Sequence, residues 1–130
     1  MNNKIISFED IKKVVFEKRK NEKKIVLCHG VFDLLHVGHI RHFNEAKNLG
    51  DVLIVTITSD KFVNKGPGRP AFNENHRLET VAALGIIDYV VLNNNPTADQ
   101  VIEQIRPDIY CKGPDYKDHT DDLTQNIKGE

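Results

Sequence analysis

One stretch constrains the fold of this chain more than any other: Lys24-Ile25-Val26-Leu27-Cys28-His29-Gly30-Val31-Phe32-Asp33-Leu34-Leu35-His36-Val37-Gly38-His39. Its opening residues form a short apolar run suited to a strand buried in a parallel sheet. Gly30 marks a turn, and a helix is expected from about His36. A strand that turns into a helix leaves four unpaired N–H groups and the positive end of the helix dipole facing the turn, which is a site for an anion. His36 and His39 are three residues apart, share one helix face and can reach the same phosphate. Gly38 allows a nucleotide to come close to the backbone.

The remaining chain repeats this alternation. Ser7-Phe8-Glu9-Asp10 reads as a helix start capped by Ser7, with Ile11, Val14 and Val15 following at helical spacing. Lys18-Arg19-Lys20 suits the negative end of that helix, or simply a solvated terminus. The helix from His36 turns Ile40, Phe43, Ala46 and Leu49 inward and closes at Gly50. Residues 51–58 read as a second strand, so the first strand, helix and second strand make a βαβ unit with a right-handed crossover. Residues 59–72 read as a loop, because Lys65-Gly66-Pro67-Gly68-Arg69-Pro70 is too rich in Gly and Pro for regular structure. A helix over 73–84 ends at Gly85, a third strand covers 89–92, a helix over 97–105 is capped by Thr97 and stops before Pro107, and a fourth strand covers 108–111. The pattern is α/β: three layers, with a parallel sheet and helices on both faces. Ligands of such sheets bind at the carboxyl ends of the strands. His29-Gly30, Ser59-Asp60 and Lys112-Gly113 all fall at such ends.

Composition narrows the classes further. A chain of 130 residues is expected to form one domain with a core of its own. With 18 basic against 19 acidic residues, no basic surface for nucleic acid is implied. The polar N-terminus carries no apolar signal segment and no apolar run approaches a membrane span, so a cytoplasmic chain without a membrane partner is expected. Cys28 and Cys111 are read as reduced thiols. His36, His39 and His42 recur every three residues, but that spacing rotates His42 away from His36, and neither cysteines nor clustered carboxylates stand beside them. No structural zinc or other metal site is expected.

Gly30-Val31-Phe32-Asp33-Leu34-Leu35-His36-Val37-Gly38-His39 resembles the opening motif of the cytidylyltransferase-like branch of the nucleotidyltransferase superfamily, whose mark is His-x-Gly-His on a Rossmann-like sheet. The Arg77 region and the loop Lys112-Gly113-Pro114-Asp115-Tyr116-Lys117 resemble, more narrowly, the adenylyltransferase domain of ADP-heptose synthesis. On this resemblance residues 1–22 are a helical extension, 23–118 the Rossmann-like core, and 119–130 a truncated or flexible tail. Members of the family continue into a further strand and a helix opened by a Ser/Thr-rich turn, so the C-terminal part of the fold is expected to be missing. The implied reaction moves AMP or CMP from ATP or CTP to a phosphorylated sugar such as heptose 1-phosphate, releasing pyrophosphate, with Mg2+ accompanying the triphosphate. Alternatives are transfer from CTP to the polyol glycerol 3-phosphate, and a nucleotide-binding module without catalysis. A homodimer is also expected, and a sugar kinase, separate or fused, is an implied partner.

Nucleotidyl transfer asks little covalent work of a protein. The attacking phosphate monoester has a second pKa of about 6 and is largely dianionic at neutral pH. The need is for fixed donors and cations where two anions meet. His36 and His39 are the candidate donors; the alternative is that one caps the helix or packs in the core. Gly30, Val31, Phe32 and Gly38 would line the nucleotide. Asp33 lines the acceptor pocket in the resemblance, or holds its own loop as an Asx turn. Lys65 offers a point charge for phosphate, and Arg69 of the same segment would serve the acceptor, unless both are solvated loop charges. Arg77 suits a bidentate phosphate contact, or a salt bridge to Glu74 or Glu79. Lys112, Gly113 and Asp115 would lie against base and ribose. Tyr116 would stack on a base beside the acceptor, or cover the sheet edge.

Overall fold

The computed structural model describes residues 3–63 and 70–112. In chain order these hold α1 (Phe8–Lys20), β1 (Ile25–Gly30), α2 (Val37–Lys47), β2 (Val52–Thr58), a single 3-10 turn (Asp60–Phe62), α3 (Glu74–Ala82), β3 (Tyr89–Asn93), α4 (Asp99–Ile105) and β4 (Ile109–Lys112). The expected Ser7 cap is present, its Oγ accepting from Asp10 N–H, and Asn73 is a further cap whose Oδ1 accepts from His76 N–H. At α4 the Thr97 hydroxyl accepts from Asp99 N–H, and the helix begins two residues later than the sequence pattern places it. It ends at Arg106, whose left-handed φ of 54° turns the chain before Pro107.

The four strands are all parallel, in the order β3-β2-β1-β4. Chain direction across the sheet reverses between β1 and β4, the place where an open α/β sheet leaves a crevice above its carboxyl edge. Alternate residues of each strand serve the two faces. On one face Val26, Cys28, Leu53, Val55, Ile57 and Val90 pack beneath Phe43 and Ala46 of α2 and Leu78 and Val81 of α3. On the other, Ile25, Leu27, Ile54 and Val91 pack beneath Ile11 and Val15 of α1 and Val101 and Ile105 of α4. The helices therefore cover both faces, as the alternation predicts.

α1 packs on the sheet. Ile11 is fully buried, so this helix forms half of one layer. Arg19 fastens its far end by donating to the carbonyls of Ile105 and Arg106. Just before it, Ile5 pairs in parallel with Val90, and Ile6 N–H and Val90 N–H exchange bonds with Val90 and Lys4 carbonyls at 3.0 and 2.9 Å. Among the described residues no helix is long and apolar enough to cross a membrane.

Candidate active site

The start of α2 is built by its own histidines. His36 is the N-cap, in extended conformation (φ −145°, ψ −178°). Its Nδ1 accepts from Gly38 N–H at 3.1 Å, and Nδ1 of His39 accepts from His36 N–H, also at 3.1 Å. This is a capping box in which imidazoles replace the usual hydroxyl and carboxyl groups. The two rings lie 4.3 Å apart. A neutral imidazole that accepts at Nδ1 carries its proton at Nε2. Capping and donation, set against each other in the sequence reading, use different nitrogens of the same ring.

The turn before α2 is held by Phe32. Its φ of 52° is left-handed, a conformation that costs a bulky residue on the order of 1–3 kcal/mol and needs support from its surroundings. The support is burial: the ring is 5 % exposed, tilts against Phe43 at 5.2 Å and meets His39 edge-on at 5.8 Å. A Cβ on Gly30 would come within 2.8 Å of this ring. Gly30 and Phe32, expected to line the nucleotide, thus have packing roles in the turn. Gly30 is small for the sake of the Phe32 ring, and Phe32 is a core peg that packs against His39, with only its backbone available to a ligand.

Arg77, expected to make a bidentate phosphate contact or a salt bridge, is held inside the fold. It is 1 % exposed and does not reach out as a phosphate fork. Its Nε donates to Phe72 O at 3.0 Å, its Nη1 to Val31 O and Thr58 O at 3.0 and 2.7 Å, and its Nη2 pairs with Asp60 Oδ1 at 2.6 Å. The guanidinium thus gathers carbonyls from the turn after β1, the end of β2 and the approach to α3. Neither Glu74 nor Glu79 is its partner; Glu74 instead accepts from Asp60 N–H at 2.9 Å. Asp33 works in parallel. Its carboxylate accepts from Ala71 and Phe72 N–H at 2.7 and 3.0 Å, which ties two loops together rather than closing a local Asx turn. The acceptor-facing role given to Asp33 is thus joined by a structural one.

A polar group missed by motif reading lies on the other face of the sheet. His29 Nδ1 is 2.7 Å from Thr56 Oγ1, and its Nε2 is 3.4 Å from Thr58 Oγ1. Burial pushes the imidazole below its usual 6.5, against a smaller opposing effect of a hydrogen bond to the Thr56 backbone. The signal for it was present, since positions 29, 56 and 58 are polar where the same faces of β1 and β2 are otherwise apolar. Cys28 and Cys111 are neighbours in the β1–β4 register and are free thiols. A side-chain hydrogen bond with Cys111, together with burial, holds the Cys28 thiol well above its ordinary value.

Lys65, Arg69, Gly113, Asp115 and Tyr116 lie outside the described residues, as does the segment 119–130. Lys112 ends β4, in register with His29. Among the described residues no group of three or more His, Cys, Asp or Glu is placed to hold a metal ion.

A parallel Rossmann-like sheet with His-x-Gly-His at the first crossover helix defines a nucleotidyltransferase. A family model described as cytidylyltransferase-like matches residues 27–129, and the chain belongs to that family. Among its relatives, "Bifunctional protein HldE" of Syntrophotalea carbinolica is 39% identical over 133 residues, covering 98% of this chain and 27% of that protein. A protein of the same name from Campylobacter jejuni is 42% identical over 130 residues, covering 87% of this chain and 28% of the relative. The chain therefore spans little more than a quarter of these relatives. A solved "lipopolysaccharide core biosynthesis protein" from Thermoplasma volcanium is similar with a TM-score of 0.66 and 33% identity, over 82% of this chain and 88% of that one.

Proposed function

We propose that this domain transfers AMP, or CMP, from a nucleoside triphosphate to a phosphorylated sugar, with heptose 1-phosphate as the first candidate acceptor, and releases pyrophosphate. The observation that carries the reading is the reciprocal histidine cap, which commits Nδ1 of His36 and His39 to the backbone and puts the ring proton on Nε2. Two such N–H groups beside the positive end of α2 suit the charge that develops on a phosphate being displaced. The acceptor phosphate is its own nucleophile, so no general base is required. Lys65, where the family resemblance puts a phosphate-binding charge, would add a cation from the loop before α3, and Lys112 would begin the loop that meets the nucleoside. Relatives named as a bifunctional HldE and as a lipopolysaccharide core biosynthesis protein favour a sugar acceptor.

The donor set fits magnesium that arrives with its triphosphate. Among the described residues, Asp33 and Asp60 are taken up by backbone N–H groups and by Arg77, which supports N–H donors around the ion's ligand rather than a cage for the ion. Magnesium bound to the phosphates would neutralise the departing pyrophosphate.

The test is pyrophosphate release with ATP or CTP, magnesium, and heptose 1-phosphate or glycerol 3-phosphate in turn. Release with ATP and the heptose phosphate is expected. Release only with CTP and glycerol 3-phosphate would change the substrate, and saturable nucleotide binding without release under any pairing would reduce the domain to a binding module.

A further inference from the structure

His29, Thr56 and Thr58 form the one break that β1 and β2 show in their apolar face toward α1 and α4. Ile25 and Leu27 on β1 and Ile54 on β2 are completely buried on that face. Two residues nearer the carboxyl end the lining becomes an imidazole between two hydroxyls, with Thr56 fully buried and Thr58 7 % exposed. Polar groups in such a place cost free energy against the apolar side chains that would pack there, so they call for a use beyond packing. The two contacts are unequal. Nδ1 is anchored at 2.7 Å, whereas Nε2 has only a 3.4 Å contact. The looser nitrogen faces Thr58, which lies two residues further toward the carboxyl edge of β2 than Thr56. The anchored side of the ring is thus deeper in the sheet, and the weakly satisfied side lies nearer its carboxyl edge.

Phosphoryl transfer in line puts the incoming group opposite the leaving pyrophosphate. If pyrophosphate departs over the start of α2, the acceptor's carbon frame extends away from α2, across the ends of β1 and β2. We propose that His29 is a specificity-determining residue for the acceptor, its Nε2 edge steadied by Thr56 and hydrogen-bonded to a hydroxyl of the phosphorylated sugar. This rests on the transferase reading above. A ring kept neutral by burial suits a hydroxyl and not a second phosphate.

Two measurements test it. In steady-state kinetics His29→Ala and His29→Asn should raise the acceptor KM about tenfold, the scale of one lost hydrogen bond, while kcat and the nucleotide KM stay within about twofold. A deoxy acceptor lacking the contacted hydroxyl should lose affinity for the native protein and little for His29→Ala. An unchanged acceptor KM, or equal rises in both KM values, would overturn the assignment. Nitrogen NMR of the native His29 ring reads the contact without any variant: its signals should move on addition of heptose 1-phosphate or glycerol 3-phosphate and stay still with nucleotide alone. A ring indifferent to both acceptors would overturn the assignment whatever the turnover. Absent pyrophosphate release would instead remove the transferase reading while leaving the ring titration to be read.

Discussion

The two ends of the sheet handle their polar groups in opposite ways. At the amino ends three aspartates accept backbone N–H groups at or just before the strand starts: Asp51 from Lys24 at 2.8 Å, Asp108 from Ile25 at 2.7 Å and Asp88 from Leu53 at 2.7 Å. Asp88 also pairs with Lys47 at 2.6 Å. At the carboxyl ends a buried arginine collects carbonyls, a phenylalanine is held left-handed, and the helix start is capped by imidazoles whose second nitrogens carry protons. The amino-end aspartates serve the sheet itself, whereas the carboxyl-end groups frame the proposed transfer site. Substitutions at the two ends should therefore separate stability from activity.

The largest effect is expected at His36. His36→Ala should lower kcat by about a hundredfold or more, the cost of one preorganised donor, and stability by only about 1 kcal/mol, the cost of a cap. Pyrophosphate release and a thermal melt on the same sample measure both, and a variant that simply unfolds would erase the contrast. Arg77→Met sharpens the comparison, because it is a carboxyl-end residue that acts through structure. It leaves three carbonyls and the Asp60 carboxylate without their donor, and urea denaturation should show a loss of about 3 kcal/mol. Asp88→Ala at the amino end should cost about 1–2 kcal/mol with kcat unchanged. A fall in kcat there would break the division between the ends.

The smallest effect is a pH dependence. His29 is held below 6.5 in the folded chain, so between its folded value and 6.5 the unfolded chain binds more protons. Stability contributed by its neutrality is complete above 6.5 and declines as pH falls through that window. Urea melts of the native chain and His29→Asn at successive pH values should converge toward acid. Parallel curves would place the His29 titration at its unfolded value.

Much of this was legible before the structure. Short apolar runs such as 25–28, 52–57 and 89–92, with breaks at Gly50, Gly85 and Pro107, mark the parallel strands and crossover helices because local chemistry decides them. The histidine cap was legible as a choice between capping and chemistry, and ring geometry was needed to see that both fit. The partners of Arg77 were not legible, because a guanidinium has the same fork for a phosphate as for carbonyls, and Val31, Thr58 with Asp60, and Phe72 come from three segments that only folding brings together. Phe32 reads as part of a motif, yet its left-handed φ and the crowding of Gly30 are properties of the turn. His29 is legible only as a residue at the carboxyl end of a strand, since its side-chain role depends on Thr56 and Thr58 across the sheet.

The contact between imidazole and phosphate is most directly tested by a crystal structure with a non-hydrolysable ATP or CTP analogue. Nε2 of His36 and of His39 should each lie about 3 Å from a phosphate oxygen at the start of α2, with Nδ1 still bonded to the backbone. A triphosphate seated elsewhere, or one that leaves both rings out of hydrogen-bond reach, would contradict it.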